Sequence, residues 1–351
     1  MYNNVFSKFF DFKKNLFGIL SLLYISFIFF ISIFTYLIAP DSSSNSNNMN
    51  VSIHSKEPGF KIDILEIDED TTSQSFFDLF LFGSKKKINQ IPVSYYKIEK
   101  NRILYREFNS NQDNLKEIPF NNTKVYSKTF LLGTDKFGRD VLSRIIVGSR
   151  ISFYIGFVSV FISLVIGIFL GSLAGYYSGI IDTIIMWIIN IVWSIPTLLL
   201  VIAISLALGK GVWQVFLAVG LTMWVEVARL VRGQVKQYKE RKFVVAAKVI
   251  GLSDMKIIFR HIIPNLTSSL IVISATNFAA SILIESGLSF LGIGVQPPMS
   301  SWGLMIKDHY NYIILGKAYL AIVPGLCIML LVSSFMILGN SIERLYNKKY
   351  A

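Results

Sequence analysis

From Arg241 to Pro264 the chain reads RKFVVAAKVIGLSDMKIIFRHIIP, and the rest of the sequence is best read outward from this stretch. Arg241–Ile250 is a helix former in which Phe243, Ala246, Ala247 and Ile250 recur at i, i+3, i+4 and i+7 and share one face. Gly251 offers the left-handed position that ends a helix without Cβ strain. Ser253 can cap a second helix, with Asp254 stabilised at its positive end, and that helix is expected to stop near Pro264. Two short helices thus meet at a glycine corner and carry a small-residue patch, Ala246-Ala247, rimmed by Arg241, Lys242 and Lys248. A lipid-facing surface would favour bulky leucine or phenylalanine. Small side chains let another protein approach closely, so the patch reads as a knob for a partner's groove, with a plain interfacial linker as the alternative.

On both sides of this stretch the chain is apolar. Of 351 residues, 53% are hydrophobic and only 16% charged, against about a quarter charged in a soluble domain. That composition excludes a compact soluble enzyme and a disordered chain. The lone Cys327 excludes a disulfide framework and a cysteine zinc cluster, and His54, His261 and His309 are too far apart for a local metal motif. A membrane-crossing helix needs about 20 mostly apolar residues. Six segments qualify: Gly18–Ala39, Ile151–Tyr176, Ile180–Leu208, Val212–Leu230, Leu266–Leu288 and Ala318–Leu338. Pro196 predicts a kink in the third, because proline removes a backbone donor and clashes with the preceding turn. The first is longer than a signal peptide's apolar core and no small-x-small site follows before Pro40, so it reads as a retained anchor.

Orientation follows from lysine and arginine in the short loops. Lys8, Lys13 and Lys14 precede the first span; the loop between spans four and five carries Arg229, Arg232, Lys236, Lys239, Arg241, Lys242, Lys248, Lys256 and Arg260 against Glu240 and Asp254; and the tail adds Arg344, Lys348 and Lys349. Both termini are therefore expected in the cytoplasm. The net charge of +12 is read as this loop bias, with no nucleic-acid partner. The long outer loop is nearly balanced and escapes the rule.

That outer loop divides further. Asp41–Asn50, DSSSNSNNMN, reads as a polar linker unable to fold. From Lys61 onward, alternation in KIDILEID, VSYYKI, RILYREF and KVYSKTF suggests strands of a small extracytoplasmic subdomain, with Phe76–Phe82 (FFDLFLF) expected in its core rather than touching the membrane. Asn121-Asn122-Thr123 is a chance-level glycosylation sequon. Next comes LLGTDKFGRDVLSRIIVGSR, where Thr134 or Asp135 can cap a helix and Asp140 and Arg144 form an i, i+4 pair; it reads either as a surface helix or as a fixed element at the outer mouth of a path.

Charges inside the spans are functional candidates by default. Glu226 and Arg229 lie at i and i+3 and are read as a structural pair; Glu285 is a candidate for the pathway; Asp182 suits a helix N-terminus. Trp187, Trp193 and Trp224 read as interfacial or packing aromatics. The segment Gly287–Gly303, GLSFLGIGVQPPMSSWG, is too broken to stay helical and is expected to fold back at the external mouth, with Trp302 exposed beside the pathway. No HExxH, GxSxG or GxxxxGK[ST] motif is present, so neither hydrolysis nor ATP binding is expected of this chain. The competing reading is a secondary transporter driven by an ion gradient through Glu226 and Glu285.

Three motifs carry a resemblance. Ala246-Ala247-x-x-x-Gly251, followed by His261-x-x-Pro264-Asn265, resembles the EAA motif of ABC-importer permeases in the form of the peptide and nickel group. Gly133-Thr134-Asp135-x-x-Gly138-Arg139-Asp140 resembles the segment before the permease core there, and Leu288-Ser289-Phe290-Leu291-Gly292-x-Gly294 through Pro297-Pro298 to Ser301-Trp302-Gly303 is a third match. The layout is similar to the C-type subunit of oligopeptide and dipeptide importers. Val245 stands in place of the motif's glutamate, Gly339-Asn340 replaces the usual asparagine-aspartate, and Asp41–Lys128 has no counterpart.

The resemblance implies the type I ABC importer fold; with the six apolar segments and the alternating outer loop, the expectation is an all-α polytopic membrane protein with six transmembrane helices and a small β-rich extracytoplasmic insert between the first two. Its parts would be residues 1–40, with the N-terminus and first helix; the insert 41–130; a core 131–340 containing the cytoplasmic coupling loop 231–264; and a tail 341–351. In a bacterial cytoplasmic membrane it would pair with a second permease subunit, two ABC ATPases that hydrolyse ATP-Mg, and an extracytoplasmic peptide-binding protein. The chain itself would hold no cofactor or metal. Ala246, Ala247 and Gly251 would form the coupling helix, with Arg241, Lys242, Lys248, His261 and Pro264 around it. Oligopeptide is the implied substrate, with dipeptides or nickel as alternatives.

Overall fold

In the computed structural model, residues 15–68, 74–85, 88–99, 102–110, 115–120, 123–209 and 211–347 are described. Lys8, Lys13, Lys14, Asn121, Asn122, Lys348 and Lys349, which entered the reading of orientation and of the sequon, lie outside them. The chain divides into two compact units: residues 29–151 with 296–326, and residues 1–28 with 152–295 and 327–351.

Helix α1, Leu16–Ile33, is wholly uncharged; Phe34 breaks it before a short α2, Thr35–Ile38. The break has a local cause. Thr35 Oγ1 donates to the carbonyls of Ile31 and Ser32 at 2.9 and 3.0 Å, a back-bond that bends helices.

Asp41–Asn50, expected to be an unfolded linker, is ordered. Asp41 Oδ1 accepts the Ser43 N–H at 3.0 Å and Oδ2 that of Asn48 at 3.3 Å, while the Asp41 N–H donates to Ser143 Oγ at 2.8 Å. Polar residues stay ordered here because the rest of the unit supplies partners that water would otherwise provide.

Five strands follow: β1 Phe60–Asp68, β2 Ile88–Glu99, β3 Arg102–Glu107, β4 Lys116–Pro119 and β5 Thr123–Phe130. They form one antiparallel sheet in the order β4-β3-β2-β1-β5. Alternation puts Ile62 and Ile64 against Ile53 and Phe130, while Leu65 joins Val93, Ile103 and Tyr105. Pro92 cannot donate to the ladder, and the register shifts just after it, between Val93 and Tyr95. Between β1 and β2 lies helix α3, Phe76–Phe82; none of its residues is buried, so its expected place in a core is overturned.

Five helices are long and apolar enough to cross a membrane among the described residues, or six if one bent pair counts as a span. The second, α4, Val141–Tyr177, starts ten residues before the Ile151 expected from hydropathy. Residues 141–150, read from the sequence as a surface helix or an outer-mouth element, are the first turns of that same helix, and Arg144 and Arg150 in them are buried. Helices α5, Gly179–Ser194, and α6, Thr197–Leu208, meet at 93° around Pro196. Ile195 is extended there, as the residue before proline prefers.

Helix α7, Val212–Lys239, runs well past Leu230 and is followed by α8, Lys242–Val249. Glycines at 167, 171 and 175 on α4 let α7 approach closely: a Cβ at Gly167 would come within 2.5 Å of Val227 Cβ, and one at Gly171 within 2.5 Å of the Ala228 carbonyl. Helix α9, Asp254–Ile257, does not stop at Pro264. It continues through a π turn, Ile258–Ile262, and a 3₁₀ turn, Ile263–Leu266, into α10, Thr267–Leu291. Pro264 sits in the first turn of the 3₁₀ segment, where its missing N–H is tolerated, and the π turn reregisters the ladder before it.

Within Gly287–Gly303 the residues up to Leu291 remain helical, against expectation; Gly292, at φ +80°, is the left-handed stop. Helix α11, Trp302–His309, is capped by Ser301 Oγ, which accepts the Leu304 N–H at 3.2 Å, and α12, Tyr319–Asn347, ends the described chain.

Candidate functional site

Helix α8 is held by its own unit. Val244 and Ala247 are buried in a cluster with Tyr176, Val227, Val231, Val235, Ile257 and Leu266. The face expected for docking is therefore rotated: Ala247 packs inward while Ala246 points out. Beside Ala246 stand Val245, 51% exposed, Val249, 81%, and Ile250, 79%, which with Glu240 and Lys242 line a shallow open concavity. Arg241, Lys242 and Lys248 are exposed around it. Val245, Ala246, Val249 and Ile250 thus form a row of exposed apolar side chains on a helix seated against its own core.

The corner after α8 follows the glycine logic. Gly251 has φ +84°, its N–H donates to the Lys248 carbonyl at 3.0 Å, and the Leu252 N–H reaches the Ala247 carbonyl at 3.2 Å. Ser253 stands at the N-cap of α9 but its hydroxyl makes no capping bond. The Asp254 carboxylate instead accepts from Tyr176 Oη at 2.7 Å. His261 lies in the π turn, where its carbonyl accepts from Asn265 Nδ2 at 2.6 Å, and Pro264 is exposed. Asp182, expected only to suit a helix start, is bound on two sides by Arg232, through Nε to Oδ1 and through Nη2 to Oδ2 at 2.7 Å. The α7 extension is thereby tied to α5.

The second motif is a buried polar knot in the other unit. Gly133 and Gly138 have φ +74° and +73°, and a Cβ at either would strike backbone, the Lys56 carbonyl at 2.2 Å and the Asn50 carbonyl at 1.7 Å. Thr134 Oγ1 donates to the Ile53 carbonyl and accepts the Lys56 N–H at 2.9 Å. Asp135 Oδ1 accepts the N–H groups of Phe137 and Arg139 at 2.8 and 2.9 Å, and Oδ2 takes Arg139 Nε at 2.6 Å. Neither Thr134 nor Asp135 caps α4. That role falls to Asp140, whose Oδ2 accepts the Ser143 N–H at 3.0 Å. Burial pushes the Asp140 carboxyl above its ordinary range, against the Ser143 bonds that pull it down. Arg144, expected to pair with Asp140, points its Nε at Asp135 Oδ2, 3.9 Å away. Arg139 Nη1 donates to Asn47 Oδ1 at 3.1 Å and Arg144 Nη1 to the Asn45 carbonyl at 3.4 Å, so the segment expected to be a linker is part of the knot.

Residues 167–348 match the model of the family described as binding-protein-dependent transport system inner membrane component. The chain belongs to that family. It is 40% identical over 188 residues to the oligopeptide transport system permease protein OppC of Bacillus subtilis (strain 168), covering 54% of this chain and 62% of that one. To the dipeptide permease protein DppC of the same organism it is 38% identical, covering 60% and 66%. To the glutathione permease protein GsiD of Pectobacterium atrosepticum it is 39% identical, covering 62% and 72%. The chain thus spans slightly less than two thirds of the length of the two Bacillus relatives. Among solved structures, the inward-facing MetNI methionine ABC transporter is similar with a TM-score of 0.47 and 17% identity, covering 57% of this chain and 96% of that one.

This multi-pass inner membrane component carries charges that sequence reading misassigned. Arg229 stacks over Trp193 at 3.7 Å, and no ion pair joins it to Glu226 among the described residues; Glu226 is exposed on α7. Trp187 and Trp193 are exposed, whereas Trp224 is buried with Ala174, Ile185 and Ile189. Glu285 is fully buried and accepts from Ser289 Oγ at 2.8 Å. Trp302 is buried rather than exposed at a mouth: its Nε1 donates to the Ile145 carbonyl at 3.0 Å against Gly148, where a Cβ would come within 2.9 Å of the ring. No group of three or more His, Cys, Asp or Glu could hold a metal among the described residues. Sequence reading also missed Val249 and Tyr176, and named Val245 only as the residue in place of the motif's glutamate. Val244 and Ala247, at i, i+3, mark the inward face only once Val227, Val231 and Val235 are seen beneath them, because the spacing fits either phase of α8.

Proposed function

We propose that this chain is a permease subunit of an ATP-driven importer, lining part of the path for oligopeptides through the membrane. The observation that carries the reading is the exposed row Val245, Ala246, Val249 and Ile250 on a helix locked to its own core, in a family named for binding-protein-dependent transport. A cytoplasmic ATPase subunit covers that row, and Arg241, Lys242 and Lys248 flank the contact. Closure of two such ATPases around ATP moves α8 as a rigid handle. Tyr176–Asp254 and Arg232–Asp182 pass that movement to α4 and α5. The chemistry of hydrolysis belongs to the ATPases.

In this reading a second permease subunit completes the path and a binding protein outside the membrane delivers peptide. Both termini and α8 are cytoplasmic, and the sheet lies outside. Peptidic cargo is supported by relatives named for oligopeptide, dipeptide and glutathione transport. The test is Ala246→Glu, which alters the exposed face alone. It is expected to lose the co-purifying ATPases and the uptake of radiolabelled peptides while the unfolding midpoint of the chain holds. ATPase retained at the wild-type level, or uptake that persists on a proton gradient after ATP depletion, would overturn the reading.

A further inference from the structure

Helix α3 shows water an unusual amount of hydrocarbon. Phe76 is 63% exposed, Phe77 73%, Leu81 46% and Phe82 53%. The helix is nevertheless rigidly placed by its own unit. Ser44 Oγ donates to the Phe82 carbonyl at 2.6 Å, Gln74 bridges Gly83 and Lys85, and the turn at Gly83 presses on the Tyr36 ring, where a Cβ would come within 2.8 Å. An exposed face held this firmly has a purpose beyond folding.

Its neighbours set its depth. Phe80 meets Phe34 edge-on at 5.8 Å, immediately beyond the end of α1 at Ile33. Arg150 Nη1 donates to the Leu81 carbonyl at 2.8 Å, and its guanidinium lies 5.5 Å over the Tyr36 ring. Arg150 is the last charge before the uncharged run 151–177 of α4. Phe34, just past α1, and Arg150, just before the uncharged run of α4, thus both contact α3 within its own unit. Lys85 follows, exposed, with Nζ 5.5 Å over the Phe82 ring, and the sequence continues Lys86-Lys87. A short apolar surface beside a lysine is what helices lying in a membrane interface present.

We propose that α3 is a membrane-surface anchor: its phenylalanines enter the headgroup–acyl boundary of the adjacent leaflet, Lys85 meets anionic headgroups, and the neighbouring sheet is held at a set height above the bilayer. The full chain in lipid nanodiscs tests this. Phe77→Cys in a Cys327→Ser background, labelled with bimane, is compared with Ile98→Cys on β2, and Leu81→Cys serves as a second site on the helix. The expected result is loss of bimane intensity at both α3 sites with lipids carrying a nitroxide high on the acyl chain, and protection there from aqueous iodide, with the reverse at Ile98→Cys. Quenching of the α3 sites by iodide would place them in water. Quenching by neither agent would mean a protein covers them; either outcome overturns the proposal.

Discussion

Tyr176 Oη donates to Asp254 Oδ1 at 2.7 Å, tying the last turn of α4 to the first turn of α9. One hydroxyl thus connects a membrane-crossing helix to the corner that follows α8. Tyr176→Phe removes it and leaves packing in place, at a cost of about 1 kcal/mol. If the proposed function holds, the variant reconstituted with the ATPases is expected to hydrolyse more ATP per peptide imported. An unchanged ratio would show that the bond only stabilises the fold.

The positive-φ glycines separate into two kinds. At Gly251 nothing lies within 4 Å of an added Cβ, so Gly251→Ala incurs only the left-handed backbone strain, about 1 kcal/mol. At Gly138 the Cβ would lie 1.7 Å from the Asn50 carbonyl, and Gly138→Ala must displace backbone, for several kcal/mol. Thermal unfolding in detergent should give a much larger drop for Gly138→Ala; equal drops would contradict the close approach.

Asp135 and Arg139 are both buried and paired at 2.6 Å. Asp135→Asn leaves two buried guanidinium groups facing a neutral amide, a loss of about 3–5 kcal/mol. Removing both charges with Asp135→Asn/Arg139→Met should lose less than the single change predicts. Denaturation midpoints of the single and double variants check this, and simple additivity would refute it.

His309 is buried, with Nδ1 2.8 Å from the Met305 carbonyl and Nε2 3.5 Å from the Lys136 N–H, so the ring is neutral with its proton on Nδ1. Burial lowers its pKa, and Lys136 adds to this, while the Met305 carbonyl, Asp135 and Asp308 oppose it. Above the ordinary value of about 6.5 the ring is neutral in both states and contributes no pH dependence. Below that value the unfolded chain takes the proton first, so stability falls by at most about 1.4 kcal/mol per pH unit until the folded pKa is reached. His309→Gln should flatten this acid limb of the unfolding profile below about pH 6.5. Parallel profiles for the two proteins would exclude His309 as its source.

What the sequence by itself determined is local. Long uncharged runs mark the membrane-crossing helices because chain length and hydropathy alone set that requirement. The corner at Gly251 follows from Cβ sterics, and the break at Pro196 from a missing N–H, though its 93° angle does not. Tertiary structure decided the rest, because it concerns which groups satisfy one another across the chain. Asp41 bonds Ser143, 102 positions away, which orders a stretch whose composition reads as linker. Ala247 faces in and Val249 out because Val227, Val231 and Val235 lie under one side of α8, and helical spacing is compatible with either phase. Asp135 takes Arg139, and draws Arg144 from its helical neighbour Asp140, because a buried charge goes to the carboxylate that the folded backbone brings within reach.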